Sequence, residues 1–99
     1  MTEEIYTIQQ IKAILQPIFS EYNVKKAILF GSYAKGSAKK YSDVDILVDS
    51  GLKGLAFFGL LEDVTTSLGK DVDMIDTSQL EKDSETDKEI AKSGVLIYG

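Results

Sequence analysis

A glycine and a serine after a short apolar run are the first residues that indicate chemistry. Residues 27–30 have the composition of a buried strand, and Gly31 and Ser32 follow directly, ahead of a short helical turn expected at about residues 33–37. The backbone donors of such a turn, together with the Ser32 hydroxyl, form a small anion-binding site. Because a strand followed by Gly-Ser and a helix is more often only a turn, this segment alone is a weak indication of phosphate binding.

Two aspartates, Asp43 and Asp45, follow after ten intervening residues. They lie two positions apart in a segment whose other residues are mostly apolar, so a strand would place both carboxylates on one face. Like charges at that separation repel each other, and a divalent cation removes the repulsion. Oxygen ligands of this kind suit Mg²⁺ or Mn²⁺ together with substrate phosphates. The alternative is a solvent-facing strand edge on which acidic residues discourage aggregation.

A third aspartate, Asp73, lies at the centre of another alternating segment, residues 71–75. An isolated carboxylate is unfavourable among apolar neighbours. If the two strands are adjacent, Asp73 completes a cluster of three carboxylates; otherwise it is simply exposed on the open face of a sheet. Three carboxylates beside a phosphate-binding turn suit metal-assisted phosphoryl transfer, in which one of them accepts the proton of the nucleophile.

The composition excludes several other kinds of site. The 99 residues include no cysteine and no histidine, which excludes disulfides, thiolate or imidazole metal sites and hydrolysis by a serine–histidine pair. Sixteen acidic residues, eleven lysines and no arginine give a net charge of −5, so we expect no direct binding of nucleic acid. The segment between Glu21 and Asp43 nevertheless carries lysines and no acidic residue, which suits a metal-bound polyphosphate.

Two polar capping patterns predict where helices begin. An amphipathic helix is expected at about residues 7–22, with Thr7 and Gln10 as a capping box. A polar helix is expected at about residues 79–92, with a second capping box opened by Ser78.

A more apolar helix is expected between these two, at residues 54–68, with Gly69 as its C-terminal cap. Phe57 and Phe58 are adjacent on it and cannot fully share one face, and we expect Phe58 to pack in the core. Residues 95–98 are expected to form a final strand or a packed terminus.

The order of these elements predicts one domain over residues 1–99. Its class is α/β (α+β), a small mixed β-sheet with helices packed on it. The segment between the first two strands is too short for a crossover helix, so these strands are expected to be antiparallel. The amino terminus lacks a secretory signal pattern, and the longest near-apolar run, residues 55–61, is too short to span a bilayer. We therefore expect a cytoplasmic protein without a membrane partner.

The motif segment resembles a known family. Gly31-Ser32, ten residues and Asp43-Val-Asp45 resemble the GS-x10-DxD motif of the DNA polymerase β-like nucleotidyltransferase superfamily. More narrowly, Phe-Gly-Ser-Tyr-Ala-Lys-Gly-Ser at residues 30–37 and Ser-Asp-Val-Asp-Ile-Leu-Val at residues 42–48 resemble the minimal nucleotidyltransferases, the MntA-like antitoxin partners of HEPN toxins. The resemblance extends from about residue 22 to residue 98, and the combined spacing and strand context are specific, unlike either half alone.

The resemblance implies a role for each motif residue. Gly31 and Ser32 would hold the phosphates of the nucleotide. Asp43 and Asp45 would ligate Mg²⁺, and Asp73 would be the third metal-associated acid and the proton acceptor. It also implies the nucleotidyltransferase fold.

Three other residues of the motif segment each allow two interpretations. Lys35 stands where the family usually has arginine, and it keeps the charge but loses the planar fork, so it is either a nucleotide-binding residue or a solvated one. Tyr33 and Tyr41 flank the motif and either stack on a base or pack the edge of the domain, which is the commoner arrangement.

The resemblance also implies a reaction and a partner. The reaction would be Mg²⁺-dependent transfer of AMP from ATP to a tyrosine hydroxyl of a HEPN toxin, in a type VII-like toxin–antitoxin pair that forms a hetero-oligomer. The alternative is a non-catalytic nucleotide-binding antitoxin that neutralises its toxin by steric contact. Clustered like charges favour the enzyme, because a purely structural domain gains nothing from them. A small-molecule antibiotic is disfavoured as the acceptor, since so short a chain has no second domain to form a drug pocket.

Overall fold

Helix α1 begins at the predicted capping box. In the computed structural model, which describes residues 2–99, α1 spans Ile8–Glu21 and Thr7 is its N-cap. The Thr7 hydroxyl accepts a hydrogen bond from the backbone N–H of Gln10, and the Gln10 side chain accepts one from the backbone N–H of Thr7, so the capping box is confirmed. The stripe that α1 buries in the core consists of Ile11, Leu15 and Phe19.

A mixed sheet carries the aspartates of the motif. In the residues described, four strands occur in the order β3-β2-β1-β4: β1 (Lys26–Phe30), β2 (Val44–Asp49), β3 (Val72–Asp76) and β4 (Val95–Tyr98). β1 is antiparallel to β2, as predicted, and also to β4, so the final segment is a strand. β2 and β3 are parallel and adjacent. The predicted class, a small mixed sheet with packed helices, is confirmed.

The helices connect these strands. α2 (Gly31–Lys35) follows β1 without a gap, so it begins at the glycine and not near residue 33 as predicted. α3 (Leu55–Leu68) is the crossover between the parallel strands, and it ends as predicted at Gly69, whose left-handed φ of 64° favours glycine. α4 (Glu85–Ser93) precedes β4. Within residues 2–99, the helices lack the combination of length and apolar character that a bilayer span requires.

The polar helix expected at residues 79–92 is wrong in its first half. Ser78 does not cap a helix, because its N–H and its hydroxyl both donate to the side chain of Asp76. Asp76 instead caps a short 3₁₀ helix, Thr77–Gln79. The positive φ of Asp83, 64°, interrupts the helical conformation, and α4 begins only after Ser84, whose hydroxyl is its N-cap.

Phe57 and Phe58 also reverse the expected arrangement. Phe58 is 66% exposed, whereas Phe57 packs against the core, so the prediction for Phe58 is wrong. The reason is the helical period, because Phe57 lies three residues before Leu60 and continues the buried stripe of α3, which consists of Leu60, Val64 and Leu68.

The two faces of the sheet have different surroundings. On one face, α1 and α3 cover the main core, to which β2 contributes Val44, Ile46 and Val48, each fully buried. Burial of side chains of this size contributes about 1.5–3 kcal/mol each, which holds β2 firmly in place. The opposite face carries the alternate residues of β2, and α2 and α4 lie on that side, against β1 and its neighbours.

Asp76 is a buried carboxylate that joins the ends of β2 and β3. Its Oδ1 accepts hydrogen bonds from the backbone N–H of Ser50 at 3.0 Å and the Ser50 hydroxyl at 2.6 Å. Its Oδ2 accepts from the N–H of Ser78 at 3.0 Å and the Ser78 hydroxyl at 2.7 Å. Burial alone would raise the pKa of Asp76, but these hydrogen bonds outweigh burial and lower it to about 2.

We expect Asp76→Asn to lower the free energy of unfolding by about 2 kcal/mol near neutral pH, because the new amide nitrogen faces the donors of one serine. Since the pKa is lower in the folded state, the stabilisation by Asp76 is present above about pH 4 and is lost as the pH falls toward 2. Urea unfolding at neutral and acidic pH should therefore show a difference between variant and wild type that shrinks in acid. Asp71→Asn, at an exposed position just before β3, is the matched control, and an equal loss in both variants would contradict the assignment.

Candidate active site

Asp45 and Asp73 are neighbours across the two parallel strands. The register of β2 and β3 pairs Asp45 with Asp73, and paired residues on adjacent strands project from the same face of a sheet. Asp43 lies immediately before β2, two residues from Asp45. The strands are therefore adjacent, as a cluster of three carboxylates requires, but Asp73 is also exposed, which was the alternative.

The three aspartates differ in burial. Asp43 and Asp73 are exposed, whereas Asp45 is partly buried. Burial raises the pKa of Asp45 to about 6, with a further contribution from the negative charge of Asp73. The charges of Asp43 and Glu89 act in the same direction, and the charge of Lys35 acts in the opposite one. Asp45 therefore lies where negative charge is in excess, and a divalent cation would neutralise that excess.

Gly31 provides the space that the Asp45 carboxylate occupies. Phe30 pairs with Asp45 in the register of β1 and β2, so the first residue of α2 lies against this carboxylate. A Cβ atom added to Gly31 would overlap with the Asp45 carboxylate, and the φ of Gly31 is +72°. Both the contact and the backbone conformation require glycine at this position. The Gly31-Ser32 turn and Asp45 are thus brought together, as the sequence predicted.

Lys35 forms an ion pair with a residue that the sequence analysis missed. Its Nζ lies 2.9 Å from Oε2 of Glu89, which joins the last turn of α2 to α4. Both side chains line an open cavity of about 570 Å³, together with Glu85, Lys88, Lys92 and Ser93. Glu89 had no sequence signal that separated it from the other acidic residues of a polar helix, because only the fold places α4 beside α2.

The two tyrosines of the motif segment have opposite surroundings. Tyr33 is 3% exposed and belongs to the main core, so the packing interpretation is confirmed for it and base stacking is excluded. Tyr41 is 74% exposed. Its hydroxyl donates to Oε1 of Glu3 at 3.1 Å, and Nζ of Lys40 lies 5.2 Å from its ring centroid. Tyr41 therefore keeps an accessible ring at the edge of the site.

The donor set suits a magnesium ion that arrives with a nucleotide. Among residues 2–99, no three acidic side chains are gathered closely enough to enclose a metal ion by themselves. Mg²⁺ in nucleotide sites is usually held by one or two carboxylates, with substrate phosphates and water as its other ligands. The paired carboxylates of Asp45 and Asp73, with excess negative charge at Asp45, fit a site of that kind.

We expect Asp45→Asn to stabilise the protein near pH 7 when divalent cations are removed, by about 1 kcal/mol, since partial exposure limits the effect. The pKa of this carboxyl is raised in the folded state, so the wild type loses stability as the pH rises from about 4 to about 6, and the amide variant does not. Thermal unfolding in a chelating buffer across this range measures the difference. Added Mg²⁺ should stabilise the wild type more than the variant, and the same pH dependence in both proteins would contradict the assignment.

Gly31 and Gly36 have similar backbone conformations, but only Gly31 contacts the Asp45 carboxylate. Alanine substitutions at the two positions therefore separate the cost of that contact from the cost of a positive φ. Gly36 has a φ of +76° and nothing within 4 Å of an added Cβ, whereas Gly31 has the Asp45 carboxylate there. We expect Gly36→Ala to lower the free energy of unfolding by about 1 kcal/mol and Gly31→Ala by roughly 2 kcal/mol or more. Chemical denaturation compares the two variants, and equal losses would show that the contact with Asp45 has no energetic consequence.

Comparison with known protein families gives one match that covers nearly the whole chain. Residues 9–99 match the family described as polymerase beta, nucleotidyltransferase. A relative, the protein adenylyltransferase MntA of Thermococcus cleftensis, is 39% identical over 83 residues, which cover 75% of this chain and 81% of the relative.

Solved structures with the same fold come from toxin–antitoxin complexes. A chain of a toxin–antitoxin complex with AMP-PNP has a TM-score of 0.76 and 23% identity, over 89% of this chain and 73% of the other. A chain of the complex between a tri-AMPylated HEPN toxin of Shewanella oneidensis and its MNT antitoxin has a TM-score of 0.71 and 21% identity, over 94% and 73%. At these identities, the similarity establishes a shared fold.

Proposed function

The chain belongs to the polymerase β nucleotidyltransferase family, and we propose that it is an antitoxin that transfers AMP from ATP to a tyrosine hydroxyl of a HEPN-type toxin. The resemblance found in the motif residues is thereby confirmed at the level of the family. A protein as the acceptor is supported by the relative MntA, a protein adenylyltransferase. A toxin as the partner is supported by structural neighbours that are toxin–antitoxin complexes, one of them with an AMPylated HEPN toxin.

The observation that carries the proposal is the pairing of Asp45 with Asp73 beside the Gly31-Ser32 turn. A phosphate-binding turn and two neighbouring carboxylates are the elements that nucleotidyl transfer needs from a protein. The raised pKa of Asp45 supports the same interpretation, because the protein maintains an unfavourable charge there.

The proposed reaction replaces a phosphoanhydride bond of ATP by a phosphodiester bond to the partner. The tyrosine oxygen forms a bond to the α-phosphorus of ATP, the bond from that phosphorus to the bridging oxygen breaks, and pyrophosphate leaves. The hydroxyl proton passes to the carboxylate of Asp73, which is exposed and accessible to an incoming side chain. Ser32 and the backbone of Gly31 bind phosphate oxygens. The products are AMP-tyrosine on the partner and pyrophosphate.

Asp43 and Asp45 would hold the Mg²⁺ ion, with Asp73 as a third metal-associated acid, and the ion when bound would supply positive charge to the phosphate oxygens. Mn²⁺ prefers similar oxygen ligands and would be accepted by the same pair. Asp45 is placed for this role by β2, whose neighbouring residues are buried in the main core. Asp43, at the exposed start of the strand, depends on the loop that precedes it.

Lys35 is proposed to bind the phosphates of the nucleotide. Its ion pair with Glu89 joins side chains that are 50% and 35% exposed, and such a pair contributes little stability. A polyphosphate with several negative charges therefore competes effectively with Glu89 for the ammonium group. A lysine lacks the bidentate fork of arginine, so it acts here as a point charge.

The alternative is a nucleotide-binding antitoxin that neutralises the toxin by steric contact alone. One observation favours it: among the described residues, no three acidic side chains lie close enough together to hold a metal ion by themselves. Labelled ATP, Mg²⁺ and the partner toxin distinguish the two functions. The enzyme leaves label on a toxin tyrosine, whereas protection of cells without any labelling would establish the binding module.

Substitutions in β2 and β3 test the catalytic roles. We expect Asp45→Asn to reduce labelling by about 100-fold or more while the protein stays folded. Asp49→Asn is the matched control, because Asp49 lies on the same strand and the same face, at the end distant from the motif turn. Asp73→Asn should lower kcat more than it weakens ATP binding, since its role begins when the hydroxyl loses its proton. Equal losses in kcat and ATP affinity would contradict that role.

A further inference from the structure

Lys70 is a buried lysine, 3% exposed, in the connection between α3 and β3. Its Nζ donates hydrogen bonds to the backbone carbonyl of Lys40 at 2.8 Å and to that of Thr2 at 3.3 Å. In the part of the chain that the structure describes, it forms no ion pair. A buried charge is expensive unless it is hydrogen-bonded, so the position of Lys70 depends on the two carbonyl groups that it holds.

One of these carbonyls belongs to residues 2–6, which we call the N-terminal strap. The backbone N–H of Thr2 donates to the carbonyl of Gly69 at 2.9 Å, and the Tyr6 hydroxyl donates to the carbonyl of Leu68 at 2.6 Å. Both contacts lie at the end of α3, directly before Lys70. The N-terminal strap is therefore attached to the same turn of the chain that supplies the buried ammonium group.

The other carbonyl belongs to residues 36–43, which we call the motif loop. This loop connects α2 with β2, and Asp43 is its last residue. Within the loop, Lys39 and Ser42 exchange two hydrogen bonds, from the Lys39 N–H to the Ser42 hydroxyl at 2.8 Å and from the Ser42 N–H to the Lys39 carbonyl at 3.0 Å. These bonds shape the turn but attach it to nothing else.

The N-terminal strap also contacts the motif loop through Glu3. The Glu3 carboxylate accepts a hydrogen bond from the Tyr41 hydroxyl at 3.1 Å and lies 3.8 Å from Nζ of Lys40. These contacts are exposed and individually weak. The bond from Lys70 to the Lys40 carbonyl is partly buried and comes from a buried side chain, so it holds this end of the loop against the body of the protein, while Ala38 packs the other end against the core.

We propose that Lys70 is a positioning residue, which anchors the motif loop so that Asp43 enters β2 beside Asp45 and Asp73. Lys70 touches neither nucleotide nor acceptor and acts through the Lys40 carbonyl. Its effect on the reaction rests on the proposed function, whereas its effect on the loop does not. Because a small displacement of a catalytic group lowers the rate strongly, loss of this anchor should appear in the chemical step.

The test removes the ammonium group and keeps most of the length of the side chain. Lys70→Met should accelerate hydrogen exchange of the Ser42 and Val44 amides by about tenfold or more relative to the strands of the sheet. With the toxin as acceptor, kcat should fall by about 10- to 100-fold, with a much smaller change in the KM for ATP. Lys70→Arg keeps the charge and the donors and should restore most of both properties. Lys25→Met, the same change at an exposed lysine, is the matched control.

Global destabilisation would increase exchange throughout the sheet, whereas loss of the anchor affects the motif loop selectively. Loop exchange and kcat that match those of Lys25→Met would overturn the proposal. If Lys70→Met does not fold, Lys70→Gln decides, because its neutral amide removes the charge and shortens the reach to the Lys40 carbonyl while it keeps a polar group at the buried position. It should increase loop exchange by about two- to threefold relative to Lys70→Arg, and equal exchange in the two variants would overturn the proposal. If the wild-type protein transfers no AMP, the proposed function is wrong, but the hydrogen-exchange comparison still tests whether Lys70 anchors the motif loop.

Discussion

The structure depends on one electrostatic constraint, the placement of two like charges on neighbouring strands. Asp45 and Asp73 are register partners of a parallel pair, so neither side chain can turn to the other face without shifting the register of a buried strand. Gly31 tightens the constraint, because it lets the backbone after β1 lie against the Asp45 carboxylate. A domain selected for stability alone would not concentrate negative charge at this point. Under the proposed function, a cation and a phosphate group bound together at this point would offset the repulsion.

Asp76 and Asp45 are carboxylates of the same sheet with opposite pKa shifts, because their hydrogen-bond partners and neighbouring charges differ. Asp76 receives four hydrogen bonds from Ser50 and Ser78, which lower its pKa to about 2 and join two strand ends. Asp45 is partly buried among other negative charges, and its pKa is raised to about 6. The charge of Asp76 is thus satisfied by hydrogen bonds within the protein, whereas that of Asp45 is not. This difference supports a structural role for Asp76 and the proposed cation-binding role for Asp45.

Local patterns predicted most of the fold, and long-range contacts account for the rest. The Thr7 capping box, the strands and the C-cap at Gly69 follow from neighbouring residues, and the motif spacing predicted that the Gly31-Ser32 turn and Asp45 lie together. The helix expected from Ser78 was wrong because Ser78 donates its hydrogen bonds to the buried carboxylate of Asp76. Asp76 therefore acts as the local N-cap in place of Ser78. The Lys35–Glu89 pair and the anchor at Lys70 join segments distant in sequence, and no periodicity in either segment indicates them.

The most direct test of the convergence of Asp43, Asp45 and Asp73 is the position of a paramagnetic ion. Mn²⁺ added with a non-hydrolysable ATP analogue broadens the backbone amide signals of nearby residues in a protein NMR spectrum. The account predicts the strongest loss for the signals of residues 31–32, 43–45 and 73, and a much weaker effect at the opposite strand ends, at Lys26 and Asp49. Broadening confined to the acidic residues of α4, with the motif signals unchanged, would contradict it.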